Sequence, residues 1–272
     1  MNLENYFISL FKNKHIGDDA AVIGGFVYSK DAFFENVHFK KEWMSYEQIA
    51  QKAMLVNLSD AIAMNATPLY ALLSVAMPKG MSKQDMQALA QGFKSVAKVY
   101  GVEIIGGDTI SNTKLDITIT IISKTKKPLL RKGMRPNSLL AYTGELGHSN
   151  KDLKKLFNGG RIHKKSKFVN IQLRKDFVNK SERFLLSGMD ISDGLLSDLD
   201  KMASVNKTGF SFSKQITSTQ GCSGEEYEML VAFDKRSQKA VVRRAKQTRT
   251  QVTVFAKASR NRYKNRCKAH HF

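Results

Sequence analysis

SYEQIAQKAMLVNLSDAIAMNA, residues 45–66, reads as one long helix with a carboxylate in an unexpected place. Ser45 is a capping residue, and Gln48, three positions on, completes a capping box with it. At about 100° per residue, Ile49, Ala53, Val56, Ala63 and Met64 share one apolar face, the face a globular helix turns to the core. Asp60 falls in the middle of that face. A lone carboxylate there gives up its hydration, so it must take a proton or a cationic partner. Two readings follow from the helix alone: Asp60 is paired with an arginine or caps a neighbouring loop, or it points into a metal site.

Working outward, His15 to Phe39 alternates turn signals with short apolar runs, and Ala21–Ile23 and Phe26–Ser29 around Gly24-Gly25 form a hairpin signal. Leu69–Met77 reads as a strand ended by Pro78. Lys83–Tyr100 reads as a helix boxed by Ser82 and Asp85 and stopped at Gly101, with Met86, Leu89, Phe93, Val96 and Ala97 inward. Val102–Ile105 reads as a buried strand running into Gly106-Gly107-Asp108, and Leu115–Ile122 as another strand. This alternation argues for a mixed α/β domain as far as residue 137, with MRPNS, 134–138, as the boundary. Beyond it, Leu139–Thr143, Glu226–Phe233 and Gln251–Ala256 read as strands. Lys151–Asn158, Asp176–Leu186 and a segment capped by Ser192 or Asp193 read as helices.

Composition narrows the class. The 272 residues, 42% hydrophobic and 25% charged, suit a folded protein of two domains. No apolar run approaches the roughly 18 residues of a membrane span, and the first residues lack a signal peptide's pattern, so a cytoplasmic protein is expected. Cys222 and Cys267 have no metal-ligand spacing and are too few for a disulfide scaffold, in keeping with a reducing compartment. The net charge of +20 is the outlier, and no acidic residue follows Asp234. Such a block attracts polyanions, yet no zinc-finger spacing or aromatic RNA-binding strand accompanies it, so a solvated basic face is the expectation rather than a nucleic-acid site.

The carboxylates share a local design. Asp18-Asp19, Asp31, Asp60, Asp108, Asp190 and Asp193 mostly stand where a short apolar run ends, often beside glycine. Each alone is an ordinary turn former. Together they suit Mg²⁺, a hard cation that prefers oxygen ligands and commonly serves phosphates. No Walker A loop, GxGxxG loop or protein-kinase catalytic motif is present, so phosphate binding has to rest on metal ions, glycine turns and single basic residues.

Several blocks carry a family resemblance: IGDDAAV (16–22), SKD to VHF (29–39), AMLVNLSDAIAMNATP (53–68), IIGGDT (104–109), DISDGLLSDL (190–199) and SGEEYEML (223–230). In this order they resemble the thiamine-monophosphate kinase family, within the superfamily of aminoimidazole ribonucleotide synthetase. The resemblance implies a two-domain α/β fold of α+β type with mixed sheets. Residues 1–137 would form an ATP- and Mg²⁺-binding, dimerising domain, and residues 138–272 an α/β domain that completes the active site. It implies ATP-dependent phosphorylation of thiamine monophosphate to the diphosphate by a homodimer. Asp19, Ser29, Lys30, Asp31, Asp60, Asp108, Asp190 and Asp193 match its magnesium ligands, with Lys30 acting through its backbone carbonyl. Gly107, Asp108, Arg131 and Ser192 match nucleotide contacts, and His38 and Glu225 match substrate contacts. On its own residues, His38 reads as a packed ring in an aromatic strand and Arg131 as a surface charge.

A phosphate monoester oxygen is already anionic near neutral pH, so no dedicated general base is expected and positioning with charge neutralisation carries the transfer. The chain departs from the family pattern at Lys30, where a small polar residue is usual, at Glu226 in place of aspartate, and in a short run from Phe212 to Gly221. The closing AHHF resembles the family's ending. The alternatives are another ATP-using member of the superfamily, or a basic nucleic-acid-binding protein on that scaffold. A selenophosphate synthetase would need a reactive cysteine near its start, and a hydrogenase-maturation protein ends in cysteine; neither fits this chain.

Overall fold

A computed structural model describes residues 3–11 and 13–268, so the closing AHHF lies outside the described residues. The chain runs α1 (Leu3–Ser9), β1 (Ala21–Ile23), β2 (Phe26–Phe34), α2 (Tyr46–Ala63), β3 (Thr67–Pro78), α3 (Lys83–Tyr100), β4 (Glu103–Asn112) and β5 (Asp116–Lys124). It continues with β6 (Leu139–Thr143), α4 (His148–Phe157), α5 (Lys175–Ser181), β7 (Leu185–Asp190), α6 (Leu195–Asn206), β8 (Gly209–Phe212), α7 (Ser218–Gly221), β9 (Met229–Phe233), α8 (Gln238–Gln247) and β10 (Val252–Ser259). Two five-stranded sheets result, ordered β1-β2-β5-β3-β4 and β7-β9-β6-β10-β8. The architecture is therefore the expected mixed α+β one, with β3 and β4 parallel across α3 and the other pairs of the first sheet antiparallel.

Both expected capping boxes form. In α2 the Gln48 N–H donates to Ser45 Oγ at 3.3 Å while Gln48 Oε1 accepts from the Ser45 N–H at 3.0 Å. α2 ends where Asn65 takes a left-handed φ of 53°, a conformation asparagine tolerates well. The amphipathic reading of α2 needs correction: nearly every residue from Ile49 to Ala63 is buried, so this helix is wrapped on all sides. Phe33, Ala71, Ile117, Ile119 and Ile121 of the first sheet cover one side, and α3 another. Gly92 permits the α2–α3 approach, since a Cβ there would strike the Glu47 carbonyl and the Ala50 methyl. Residues from the far half of the chain, Leu156, Phe168, Val169, Ile171 and Tyr227, join the same core, so α2 is also where the two sheets meet.

Four expectations fail for tertiary reasons. β4 is an exposed edge strand rather than a buried one, with Ile105 and Ile110 open to solvent. Met86 is likewise exposed rather than inward. The stretch Asp176–Leu186 does not stay helical, because Leu185 begins β7 and pairs with β9. α6 has no side-chain cap from Ser192 or Asp193; instead Asp198 in its first turn accepts the Asp193 N–H at 3.2 Å. The two cysteines, read from the sequence as in keeping with a reducing compartment, instead form one disulfide, Cys222–Cys267, because the fold brings the segment before β9 against the chain beyond β10. Among the described residues no helix is long and apolar enough to cross a membrane.

Candidate active site

A cavity of about 480 Å³ opens where α2, the ends of β2 and β7 and the segment before β9 converge. Asp19, Asp31, Asp60, Asp190, Asp193, Ser192, Arg131, His38 and Glu225 all line it. Nine of the residues singled out from the sequence, drawn from positions 19 to 225, thus reach one hollow. Asp60 does so because α2 turns it from the core toward the cavity.

Each carboxylate is held differently. Asp19 is almost wholly buried and receives the Arg131 guanidinium on one oxygen, Nη2 at 2.6 Å and Nε at 2.9 Å, while Oδ2 is buried with no hydrogen-bond partner. Asp190 accepts the Ser59 hydroxyl at 2.5 Å. Burial raises the Asp19 carboxyl to about 7 against the pull of Arg131, with Asp190 adding to the rise. Burial, then Asp190 and Asp193, raise Asp31 to about 6. Asp60 is pushed well above the usual carboxylate range, first by burial and then by Asp31, Asp190 and Asp19. Acidic groups that raise one another in this way lack the cationic charge their grouping calls for.

Among the described residues no three His, Cys, Asp or Glu side chains are arranged to cage a metal by themselves. Mg²⁺ commonly takes one or two carboxylates and completes its shell with water and phosphate oxygens. The orphaned Asp19 Oδ2 and the mutual repulsion of the group fit a divalent cation; Lys201 supplies part of the missing charge, its Nζ lying 2.6 Å from Asp193 and 2.9 Å from Asp198. Ser29 is buried on β2 with its hydroxyl donating to the Asn57 carbonyl, and Lys30 points away, its ammonium donating to Thr118.

Ser29 and Lys30 do not line the cavity, and Asp108 and Gly107 stand further apart. Both lie on exposed β4, in a separate groove with Leu73, Met77, Phe93 and Ile104, and neither lines the carboxylate cavity. A Cβ at Gly107 would run into the Leu73 backbone, so the glycine belongs to the close pairing of β3 and β4. A single chain therefore does not gather these two residues with the others.

His38 stacks on Phe33 at 5.6 Å and its Nδ1 accepts the Phe34 N–H at 3.0 Å, which leaves the ring proton on Nε2. His38 is packed in an aromatic cluster, as its neighbours in the sequence suggest, and it also lines the cavity. Glu225 adopts a left-handed φ of 54°, its N–H donating to the Ser192 carbonyl at 2.7 Å and its carbonyl accepting from Ser149 Oγ at 2.8 Å. Glu226, in place of the family's aspartate, turns away from the cavity. It accepts the Gly147 N–H and the Ser223 hydroxyl and lies 2.9 Å from Lys167, tying the start of α4 to this loop. Sequence reasoning missed Lys52, Phe168 and Lys201. The partner of Lys52, Glu225, lies in the far half of the chain, whereas Lys201 pairs with Asp193 and Asp198 of its own segment.

The two-sheet α+β fold, with its carboxylate-lined cavity at the junction, has counterparts of fold among known proteins. Residues 17–125 match the family model for the AIR synthase related protein, N-terminal domain. The thiamine-monophosphate kinase of Bacillus subtilis is 33% identical over 207 residues, 69% of this chain and 63% of that one. The enzyme of that name from Buchnera aphidicola of Schizaphis graminum is 31% identical over 260 residues, 82% of this chain and 78% of the relative. A solved structure described as AaThiL complexed with AMPPCP and TMP superposes with a TM-score of 0.85 at 23% identity, covering 97% of this chain and 94% of the other, a likeness of fold. The chain belongs to the thiamine-monophosphate kinase family.

Proposed function

We propose that this protein transfers the γ-phosphoryl group of ATP to thiamine monophosphate, giving thiamine diphosphate. The observation that carries the reading is the gathering of Asp19, Asp31, Asp60, Asp190 and Asp193 with Arg131, His38 and Glu225 around one cavity, in a chain of this family. Asp19, Asp31, Asp60, Asp190 and Asp193, with Ser29 and Lys30 through the backbone of β2, would hold Mg²⁺. Bound there, Mg²⁺ neutralises polyphosphate charge and orients the transferring group. Arg131, braced by Asp19, presents a fixed guanidinium beside the same carboxylates, and Ser192 offers a hydroxyl at the end of β7. Glu225 and His38 face the acceptor. The attacking oxygen is anionic without help, so these groups bind and align rather than abstract a proton.

The proposal includes a homodimer. The outward face of the first sheet carries Tyr28, Ile122 and Tyr70 in one register row and Leu72 in the next, with Tyr28, Tyr70 and Leu72 exposed. Exposed β4, bearing Gly107 and Asp108, adjoins this face. A second copy seated on it gives those two residues a nucleotide to contact, which one chain by itself does not. Residues 1–137 are thus the proposed ATP-, Mg²⁺- and dimer-forming domain and residues 138–272 the domain that closes the site, in a cytoplasmic enzyme. A coupled ADP-release assay with Mg²⁺-ATP and a panel of thiamine, thiamine monophosphate, an aminoimidazole precursor and selenide tests the activity. Turnover with thiamine monophosphate alone is expected; turnover with another acceptor, or with none, overturns it.

A further inference from the structure

Lys52 lies in the middle of α2 with 0% of its surface exposed. A buried ammonium loses its hydration and persists only where partners replace it. Two kinds do so here. Its Nζ donates to Glu225 Oε2 at 2.8 Å, and it stands 3.5 Å from the Phe168 ring centroid and 5.7 Å from that of Phe33. Burial lowers the lysine pKa and Glu225 raises it, so the carboxylate is what keeps the charge in place. Glu225 is fixed in turn by its left-handed backbone and by its bonds to Ser192 and Ser149, and a non-glycine residue held in that conformation is characteristic of a functional position. Glu225, Phe168 and His38 line the cavity beside the acidic group, whereas Lys52 does not. The ammonium therefore acts on whatever enters only through the groups it holds.

We infer that Lys52 is a positioning residue for the acceptor: clamped between Phe168 and Phe33, it holds one oxygen of Glu225 so that the carboxylate meets the cationic heteroaromatic part of thiamine monophosphate. This rests on the acceptor proposed above. A carboxylate free to swing would pay an ordering cost on each binding event; one tethered at 2.8 Å is already aligned. ATP is served by other side chains, so the effect is confined to the acceptor.

The test is steady-state kinetics on the full chain with Lys52→Met, which keeps the stem under the rings and deletes the ammonium. Lys52→Gln, able to donate to Glu225 without charge, is the second variant. Expected for Lys52→Met is a KM for thiamine monophosphate raised about tenfold, with kcat within threefold and the KM for ATP unchanged. Lys52→Gln should recover part of that loss. In the Glu225→Gln background, Lys52→Met should add less than twofold, because the tether then has nothing to align. An unchanged KM for thiamine monophosphate in both Lys52 variants overturns the inference. So does a fall in kcat with both KM values changed alike that tracks lost thermal stability, the mark of a purely structural lysine. If Lys52→Met is not recovered folded, Lys52→Gln alone decides by the same split. Wild-type turnover measured alongside separates the two readings: a wild type inactive on thiamine monophosphate refutes the acceptor assignment, while an active wild type matched by its variants refutes only the role of Lys52.

Discussion

Asp60 shows most directly what the cavity asks of its residues. It stands on a helix otherwise wrapped in apolar contacts, and its neighbours Asp31, Asp190 and Asp19 each raise its proton affinity further. Replacing it with asparagine removes a proposed metal ligand and a source of repulsion together. Asp60→Asn is expected to lower kcat at least a thousandfold while the metal-free protein melts no earlier than wild type. An active variant, or one that unfolds, would contradict the assignment. Glu228 is the opposite case, a buried carboxylate fully paired, with Arg174 at 2.7 Å through two nitrogens, Lys167 at 3.0 Å and the Thr143 hydroxyl at 2.6 Å. Burial pushes its pKa up, but Arg174 and Lys167 outweigh that, and it lies below the ordinary value of 4.5. A carboxylate depressed on folding contributes stability above its unfolded pKa and loses it as pH falls through the folded one. Glu228→Ala should therefore cost about 3–5 kcal/mol at neutral pH. The gap from wild type should shrink below pH 4.5, as acid unfolding with a fluorescence readout would show.

At the scale of elements, the α2–α3 contact and the loop before β9 decide where the site sits. Gly92 lets the two helices close on each other, and a side chain there meets backbone rather than a flexible tip. Gly92→Leu is expected to destabilise by about 2–3 kcal/mol or more, since overpacking against a carbonyl has nowhere to relax. Chemical denaturation measures this, and a neutral outcome would mean that α3 shifts freely. The 222–228 loop is fixed at many points: Glu226 to the start of α4, Glu225 to Ser192 and Lys52, and Glu228 to Arg174. That density of bonds holds a left-handed Glu225 and a left-handed Tyr227 in place.

For the molecule as a whole, one bond and one surface matter most. Cys222–Cys267 closes a segment of 45 residues and anchors the tail in which Tyr263 donates to the Leu196 carbonyl and Asn265 to Ser197. Loop-closure entropy puts its contribution at about 2–4 kcal/mol. Dithiothreitol and Cys267→Ser should therefore lower Tm by the same amount, and reductant should do nothing further to the variant. The apolar outer face of the first sheet predicts a dimer that charge disrupts. Tyr70→Glu with Leu72→Asp should give a monomer by light scattering and remove ATP turnover, although both residues lie outside the carboxylate cavity. A monomeric wild type would refute the shared site.

Periodicity and caps, which act within a few residues, fixed α2, α3 and the β1–β2 hairpin, so these were legible from the chain alone. The aspartates could be recognised as a set for the same reason, since each carries its own turn or strand end. What no local pattern held was which of them meet. Asp108 shares the motif of the others yet stands apart on an exposed edge, and β4 looks apolar enough to be buried but has no strand beyond it. Lys52 finds its partners, Phe168 and Glu225, only more than a hundred residues later. Local sequence determined the elements and the ligand types; folding decided exposure and partnership, because burial and charge pairing depend on segments that meet only in space.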